Sequence, residues 1–271
     1  MASPNIYTNG LNLTGTVFAD GPTTLQLGGT VFLSGNVQWL DTIGGNDANA
    51  GTLPELPVKT LAQAVTNSTN NGVIVIGAGS SESLGVSQGL SLVNLSIFGC
   101  GTGSSRPRYT CTGAVSMFNI AGNGTWIEGL YFPASTAVPT SRIDVAAPYC
   151  KIKDCYFECG ANDTTRAVRV TAASSGSIIE GCSFVSVAQR PAIGLEISGA
   201  GGNNTISDCT FNGGSYGWSD YALKISAAAT GTKIIGGTYI NRSDIGATVT
   251  GTSYQLYAVA PGGTANVLLT A

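Results

Sequence analysis

Ile152-Lys153-Asp154-Cys155-Tyr156-Phe157 is the stretch that decides the fold, because near-copies of this six-residue pattern recur before and after it. The copies begin at Ile97, Ile127, Ile152, Ile179, Ile206 and Ile235, so neighbouring copies lie 30, 25, 27, 27 and 29 residues apart. A period of this length is typical of a solenoid, in which each repeat buries its apolar face against the next. The sequence therefore predicts a single repeat protein.

Each copy of the motif has apolar residues at positions one, four and six, with a special residue at position three. Position three is Gly99, Gly129, Asp154, Gly181, Asp208 and, if the last copy is counted from Ile234, Gly236. Gly, Asn and Asp adopt left-handed backbone at low cost. Because a spacing of three and then two does not fit one alternating strand, the motif predicts two short strands joined by a left-handed corner.

A second pattern, apolar then polar then apolar, keeps step with the first. It recurs at Phe118-Asn119-Ile120, Ile143-Asp144-Val145, Val168-Arg169-Val170, Leu195-Glu196-Ile197 and Leu223-Lys224-Ile225. The copies are 25, 25, 27 and 28 residues apart. One coil of the solenoid therefore contains at least three short strands.

Stacking such coils as parallel strands, about 4.8 Å apart, turns equivalent positions into columns. Two outward columns then alternate in charge, which favours their stacking; they are Asp144, Arg169, Glu196, Lys224 and Glu128, Lys153, Glu180. Two inward columns are predicted to fill the core; they are Cys100, Cys155, Cys182, Cys209 with Leu130 in one coil, and Phe132, Phe157, Phe184, Phe211.

Stacked coils with Gly/Asp corners and Cys and Phe columns resemble the right-handed single-stranded parallel β-helix, a fold shared by pectate-lyase-like enzymes and bacteriophage tailspikes. The resemblance covers roughly residues 55–271. It implies an all-β fold with an N-terminal capping helix and a short β-rich N-terminal arm. We expect residues 1–40 to be an attachment or oligomerisation arm and residues 41–271 to be the β-helix with its opening loop and capping helix. This fold hosts many activities, so it does not decide function.

The arm contains short β-prone pieces separated by Gly, Asn and Pro, and it lacks the coil repeat. No Lys or Arg precedes Lys59. Such a segment can fold back on the helix or pair with a partner, and the sequence leaves both open.

The segment from Trp39 to Val65 resembles the opening of many phage and bacterial β-helix proteins, where a Gly-Asn-Asp-X-Asn-X-Gly-Thr loop precedes a Pro-X-Lys-Thr helix. Apolar residues spaced for one helical face predict a helix that caps the first coil; they are Val58, Leu61, Ala62 and Val65. Asp47 and Asn49 suggest calcium, but their spacing fits no calcium loop well. We interpret them as turn formers and predict no metal and no cofactor.

Composition narrows the function classes. The 271 residues carry a net charge of −3, no histidine and only 10% charged residues, and the Lys and Arg residues form no basic stripe. Nucleic-acid binding is therefore disfavoured. No signal peptide or membrane-length apolar run is visible, which favours assembly in a cytoplasm. Of the seven cysteines, the four on the inward column are then expected to be buried free thiols. The state of Cys111, Cys150 and Cys159, which lie off that column, is open.

Two sets of residues are candidates for chemistry. Glu128 and Glu180 lie two coils apart, about 9.6 Å by strand spacing, near the upper limit for an inverting glycosidase pair. Lys153 between them resembles the base of a polysaccharide lyase; the alternative, which we favour, is a neutral ion ladder. Trp218 and Tyr216 are candidates for stacking on sugar rings, although packing explains them equally well.

The low charge and a mean hydropathy of +0.21 favour extensive protein contacts. We therefore predict a bacteriophage virion structural protein, assembled in the host cytoplasm, that decorates or cements the capsid. Resemblance to tailspikes implies a homotrimer, and the arm is expected to attach it to the major capsid protein or other virion proteins. No membrane or nucleic acid is an expected partner. The alternative is a tailspike or tail-fibre protein that binds or cleaves host surface polysaccharide.

Overall fold

The computed structural model describes residues 7–8, 11–12, 23–27, 30–34, 36–134, 137, 139–160, 166–171, 173–187, 192–199, 202–215, 217–226, 229–240 and 245–247. These residues form short strands and one α-helix. In chain order the elements are β1 (Tyr7–Thr8), β2 (Leu11–Asn12), β3 (Thr23–Leu27), β4 (Thr30–Ser34), β5 (Val37–Leu40), α1 (Leu61–Asn67), β6 (Val73–Ile76), β7 (Ser81–Leu84), β8 (Gln88–Leu90), β9 (Ser96–Gly99), β10 (Arg108–Cys111), β11 (Ser116–Ile120), β12 (Trp126–Glu128), β13 (Tyr131–Phe132), β14 (Ser141–Val145), β15 (Lys151–Lys153), β16 (Tyr156–Cys159), β17 (Arg166–Val170), β18 (Ile178–Glu180), β19 (Ser183–Ser186), β20 (Ile193–Ile197), β21 (Thr205–Ser207), β22 (Thr210–Asn212), β23 (Tyr221–Ile225), β24 (Lys233–Ile235), β25 (Thr238–Ile240) and β26 (Ile245–Ala247).

Three parallel sheets make up the body of the molecule. We call them sheet I (β5, β6, β9, β12, β15, β18, β21, β24), sheet II (β7, β10, β13, β16, β19, β22, β25) and sheet III (β8, β11, β14, β17, β20, β23, β26). Each strand pairs with the strands one coil before and one coil after it, and the chain visits the three sheets in turn. The predicted all-β parallel β-helix is confirmed.

The strand registers also confirm the predicted columns. Glu128 lies opposite Lys153, and Lys153 opposite Glu180. Asp144 lies opposite Arg169, and the same column continues through the next two coils. The last copy of the motif needed correction: Ile206 pairs with Ile234, so the copy starts there and not at Ile235, which is 45% exposed.

The core contains the predicted phenylalanine column. Phe132, Phe157, Phe184 and Phe211 are fully buried. Their ring centroids lie 4.8, 5.0 and 4.9 Å apart, and neighbouring planes are within 6° of parallel. The ring separation equals the strand separation of a sheet, so every coil presents its ring directly above the ring of the coil before it.

The prediction of an inward cysteine column is confirmed for three of its four members. Cys155, Cys182 and Cys209 are buried free thiols. Cys100 is only half-buried and packs on the outside of sheet I, against the cluster that includes Val75 and Phe98. It departs from the column because β9 runs through Gly99 without the left-handed corner of the later coils. Burial nevertheless raises the pKa of the Cys100 thiol to about 11.

The three cysteines that the sequence left open are also free and buried; they are Cys111, Cys150 and Cys159. Burial raises the pKa of Cys150 to about 11, which keeps its thiol protonated at neutral pH.

The left-handed corners form paired columns that explain the choice of residue. From Gly129 onward, position three of the motif has a positive φ in each described copy. Four Asn or Asp corners are each followed in the next coil by a Gly corner, and a Cβ atom on that glycine would lie 2.2–2.5 Å from the Asn or Asp oxygen; the pairs are Asn94 with Gly124, Asp154 with Gly181, Asn203 with Gly231 and Asp208 with Gly236. The side chain of one corner thus covers the next corner, so only glycine fits there. Asn71 is instead followed by Asn94, whose amide donates to Asn71 Oδ1.

Tyr149 is the exception among these corners. Its φ is 60°, although it is a bulky residue and is 71% exposed. Its ring lies over Gly176 of the next coil, where a Cβ atom would come within 2.8 Å of the ring. Left-handed backbone costs such a residue about 1–2 kcal/mol, so this corner is strained relative to its neighbours.

Tyr149→Asn is therefore expected to raise the free energy of unfolding by about 1 kcal/mol, because Asn tolerates left-handed backbone. Urea unfolding followed by circular dichroism measures the change. Asn203→Tyr, at the equivalent corner two coils later, is the matched control and should lower stability by a similar amount. A loss of stability in Tyr149→Asn would mean that the ring's contact with Gly176 outweighs the backbone strain.

The first coil differs from the later ones in having an additional strand, β5, and the helix α1. Its strand β5 pairs in parallel with β6, so the β-helix begins within the last residues of the predicted 1–40 arm. The predicted helix is present as α1, with Thr60 as its N-cap: the Thr60 side chain accepts a hydrogen bond from the Gln63 amide. Of the residues predicted for its buried face, Val58 and Leu61 are in the core and Val65 packs against it, whereas Ala62 is exposed and Ala64 is buried instead.

The opening loop is held by hydrogen bonds from turn residues. Asp47 accepts hydrogen bonds from the backbone amides of Lys59 and Thr60, at 2.8 and 2.9 Å, and Asn49 donates to the carbonyl of Pro57. These bonds tie the loop to the residues that start α1. Before β5, strands β1–β2 and β3–β4 form two antiparallel hairpins, each a separate sheet. None of the described helices is long and apolar enough to cross a membrane.

Candidate functional site

A groove lies on the outer face of sheet II. Arg108, Tyr131, Tyr156 and Ser183 lie opposite one another on the neighbouring strands β10, β13, β16 and β19. Each alternates with a buried core residue on its strand, so the four half-buried side chains form one outward column. The parallel stacking of coils thus brings together residues that are about 25 positions apart in the sequence.

The loop between β9 and β10 provides the second side of the groove. It contains a short 3-10 turn, Gly103–Ser105, and then Arg106. The Arg106 guanidinium donates from Nη1 to the carbonyl oxygen of Asp154, at 2.6 Å, which fixes the loop to a coil two turns away. Together with Gly181, these residues enclose a cavity of about 340 Å³, which is within the range of small-molecule sites.

The side chains of the groove hold one another in place. The Arg108 guanidinium lies 5.0 Å from the centroid of the Tyr131 ring and donates to the carbonyl oxygen of Ser104 at 3.2 Å. The Tyr131 and Tyr156 rings meet edge to face, with centroids 5.4 Å apart. Arginine and aromatic rings that are already ordered lose little conformational entropy when they bind a ligand.

Two guanidiniums line the groove, and the carboxylate of Glu158 lies beside it. Burial, together with a hydrogen bond to Glu158, raises the pKa of Tyr131. Burial and the charge of Glu158 likewise raise the pKa of Tyr156, so both phenols are neutral at physiological pH. The described lining residues include two arginines and no carboxylate. The nearby Glu158 is engaged by the Tyr131 hydroxyl and by the amide of Ala134.

The predicted column of Glu128, Lys153 and Glu180 lies on sheet I. Lys153 Nζ is 3.4 Å from Glu128 Oε1 and 3.6 Å from Asp154 Oδ2. Glu180 pairs instead with Lys151, at 2.7 Å. Both carboxylates therefore have a lysine partner, and each ion pair is only partly shielded from solvent.

The charges around Lys153 bear on its role as a base. Partial burial opposes protonation, but the carboxylates of Glu128, Asp154 and Glu180 outweigh it and raise the pKa of Lys153. A protonated ammonium has no lone pair with which to remove a proton. The geometry thus favours the ion ladder, and the catalytic roles of these three residues stay predictions.

Lys153→Gln is expected to lower the free energy of unfolding by less than about 1 kcal/mol, since exposed ion pairs contribute little. The loss should shrink as ionic strength rises, because salt screens exposed charges. Urea unfolding at low and high salt measures it, with the exposed Lys233→Gln of sheet I as the control. A larger loss that persists at high salt would contradict the ladder interpretation.

The predicted sugar-stacking residues are not part of the groove. Trp218 is 4% exposed and belongs to the main core cluster, where its ring packs against Gly194. It therefore offers no open ring face in this structure, and packing accounts for it. Tyr216 lies outside the described residues. In the part of the chain that the structure covers, no group of three or more Cys, Asp or Glu side chains is arranged to hold a metal ion.

The repeated motif could have predicted the two tyrosines of the groove, but not its arginine Arg108. Tyr131 and Tyr156 both occupy position five of the repeated motif, next to the buried phenylalanine, and their recurrence could have marked an outward aromatic column. Arg108 has no such signal. It follows the loop inserted between β9 and β10, where the motif copy that starts at Ile97 is interrupted, so its register depends on the folded loop.

Comparison with known proteins adds little about function. No protein-family model matches the chain, and no curated protein matches it. Among solved structures, the chain is similar to the crystal structure of pectate lyase Pel9A, with a TM-score of 0.46 and 13% sequence identity. The similarity covers 84% of this chain and 61% of that one. The chain thus spans 61% of the length of the protein it resembles.

Proposed function

We propose that this chain is a structural protein of a bacteriophage virion, with a β-helix body that decorates or cements the capsid. One observation carries the proposal: the described strands before β5 pair only with each other, as the hairpins β1–β2 and β3–β4, and join none of the three sheets of the β-helix. A two-stranded hairpin is at best marginally stable alone. Its unpaired edges suit it to add strands to a partner protein.

The partner in this proposal is the major capsid protein or another virion protein, and the protein itself is a homotrimer assembled in the host cytoplasm. The low content of charged residues, 10%, and the positive mean hydropathy support large protein contacts. The free state of all seven cysteines is consistent with assembly in a reducing compartment.

Deletion of residues 1–35 tests the proposal, because it removes the hairpins and keeps β5 in sheet I. The shortened protein is expected to keep the circular dichroism of a folded β-helix and to lose attachment to virions. A second measurement is the copy number of the chain relative to the major capsid protein, by quantitative mass spectrometry of purified virions. A copy number of the same order supports decoration. Attachment without residues 1–35, or a copy number that is a small fraction of the shell protein's, would contradict it.

The second candidate function is that of a tailspike or tail-fibre protein that binds host surface polysaccharide. The groove of Arg108, Tyr131 and Tyr156 favours it, because aromatic rings beside polar donors are suited to sugar rings. A low copy number combined with glycan binding that is lost in Tyr156→Ala would support this function. An inert glycan array would count against it.

A further inference from the structure

We propose that the groove formed by Arg106, Arg108, Tyr131 and Tyr156 binds a saccharide that carries a negative charge. The inference rests on the second candidate function and specifies its ligand. It differs from the sites that the sequence predicted, because it involves neither the Glu128 column nor Trp218.

The two arginines of the groove determine the sign of the ligand. Both guanidiniums line a partly enclosed cavity, whereas the neighbouring carboxylates already have partners: Glu158 accepts a hydrogen bond from Tyr131, and Asp154 pairs with Lys153. A guanidinium keeps its charge at every physiological pH. A cavity with low-dielectric walls strengthens its attraction for an anion, relative to the open surface.

The donors of the two arginines are only partly used. Each guanidinium has five N–H donors. One hydrogen bond from Arg106 goes to the Asp154 carbonyl, and one from Arg108 goes to the Ser104 carbonyl. These bonds fix the planes of the guanidiniums, which suits them to bidentate binding of a carboxylate, sulfate or phosphate group.

The tyrosines add recognition of the sugar itself. Arg108 covers part of the Tyr131 ring, and the rings of Tyr131 and Tyr156 meet edge to face. An amphipathic phenol can pack against the apolar face of a pyranose ring and hydrogen-bond its hydroxyls. Because the column crosses three successive coils, it presents charged and aromatic groups in sequence, as an elongated ligand requires.

A matched pair of probes tests both parts of the proposal. Tetramannuronate and mannotetraose share a mannose backbone and differ in the carboxylate, and sodium sulfate provides an anion without a sugar. Isothermal titration calorimetry on the full chain is expected to show that tetramannuronate binds and that mannotetraose binds at least about tenfold more weakly, as expected for loss of a charged hydrogen-bonding group.

The variants separate the contributions of the residues. Arg108→Gln should weaken the binding of tetramannuronate by about tenfold or more. Tyr156→Ala should weaken the binding of both sugars. The control Lys233→Gln removes the same charge from an exposed position on sheet I and should change neither affinity. Circular dichroism shows whether Arg108→Gln is folded. If it is not, Arg106→Gln is the second variant that removes a positive charge from the groove.

Each remaining outcome overturns the inference. Equal binding of the two sugars, lost in Tyr156→Ala, would leave the glycan-binding function standing and remove the anionic specificity. Sulfate as tight as tetramannuronate would identify a simple anion site. Absence of binding by both sugars and by sulfate would remove the groove as a site, while the copy number of the chain in virions tests the virion proposal independently.

Discussion

Phe157→Ala is expected to lower the free energy of unfolding by about 3–5 kcal/mol. Phe157 is fully buried and stacks on Phe132 and Phe184, with centroids 4.8 and 5.0 Å away. The substitution removes apolar burial and leaves a cavity between two rings that the strand registers hold in place. The coils cannot move together to fill it without breaking sheet II.

The position of the cavity adds to its effect. Each coil contacts only its neighbours, so stability depends on the contact between each pair of coils. Phe157 contributes to two such contacts, which places the defect in the middle of the stack. Unfolding should therefore become less cooperative in Phe157→Ala, with a lower urea dependence as well as an earlier midpoint.

Tyr156→Ala is the matched control, because it truncates an aromatic residue on the same strand that points outward and is half-buried. Its free energy of unfolding should fall by clearly less than that of Phe157→Ala. Urea unfolding monitored by circular dichroism compares the two. Similar losses in both variants would mean that the phenylalanine column does not dominate the core.

Asp144→Ala is expected to lower the free energy of unfolding by about 2–4 kcal/mol, because it leaves polar hydrogen-bond partners without their acceptor. Oδ1 of Asp144 accepts hydrogen bonds from Ser141 and Arg169, at 2.6 and 2.8 Å. Oδ2 accepts from Ser116 and Arg169, each at 2.6 Å. The Asp144 side chain is 8% exposed, so water cannot easily replace these bonds.

The network joins three coils, since Ser116 lies on β11, Asp144 on β14 and Arg169 on β17. Glu180→Ala is the control: its ion pair with Lys151 is 35% exposed on the carboxylate side, and its loss should cost less than about 1 kcal/mol. Urea unfolding of both variants gives the comparison. A loss in Asp144→Ala no larger than that in Glu180→Ala would show that the buried network contributes nothing beyond a surface pair.

Much of the fold could be predicted because each coil repeats the same physical requirement. The apolar positions must face inward in every coil, which identified Ile152 and Phe157, and each corner must tolerate left-handed backbone, which identified Asp154. The prediction failed where a coil breaks the pattern. Cys100 lies outside the core because its coil has no such corner, and Tyr149 adopts a left-handed conformation that its residue type disfavours.

The candidate site was harder to predict than the fold, since outward positions are under no common packing requirement. The groove depends on Arg108 reaching Tyr131 across one coil and on Arg106 binding the Asp154 carbonyl across two coils. Neither contact follows from the repeat, because both arginines belong to or follow the loop that interrupts it. The sequence therefore drew attention to Glu128, Lys153 and Trp218; in the structure Lys153 pairs with Glu128, and Trp218 packs in the core.

The phenylalanine column also sets the increments in which such a molecule can evolve. The rings repeat every 4.8 to 5.0 Å, and the registers match residue for residue between coils. Duplicating one coil in the gene would lengthen the rod by about one strand spacing and create the same contacts that the parent coil makes. An insertion shorter than a coil keeps the registers when it lies between strands, as the loop before β10 does. The length of the rod can therefore change by whole coils, whereas binding specificity can change through the loops between strands.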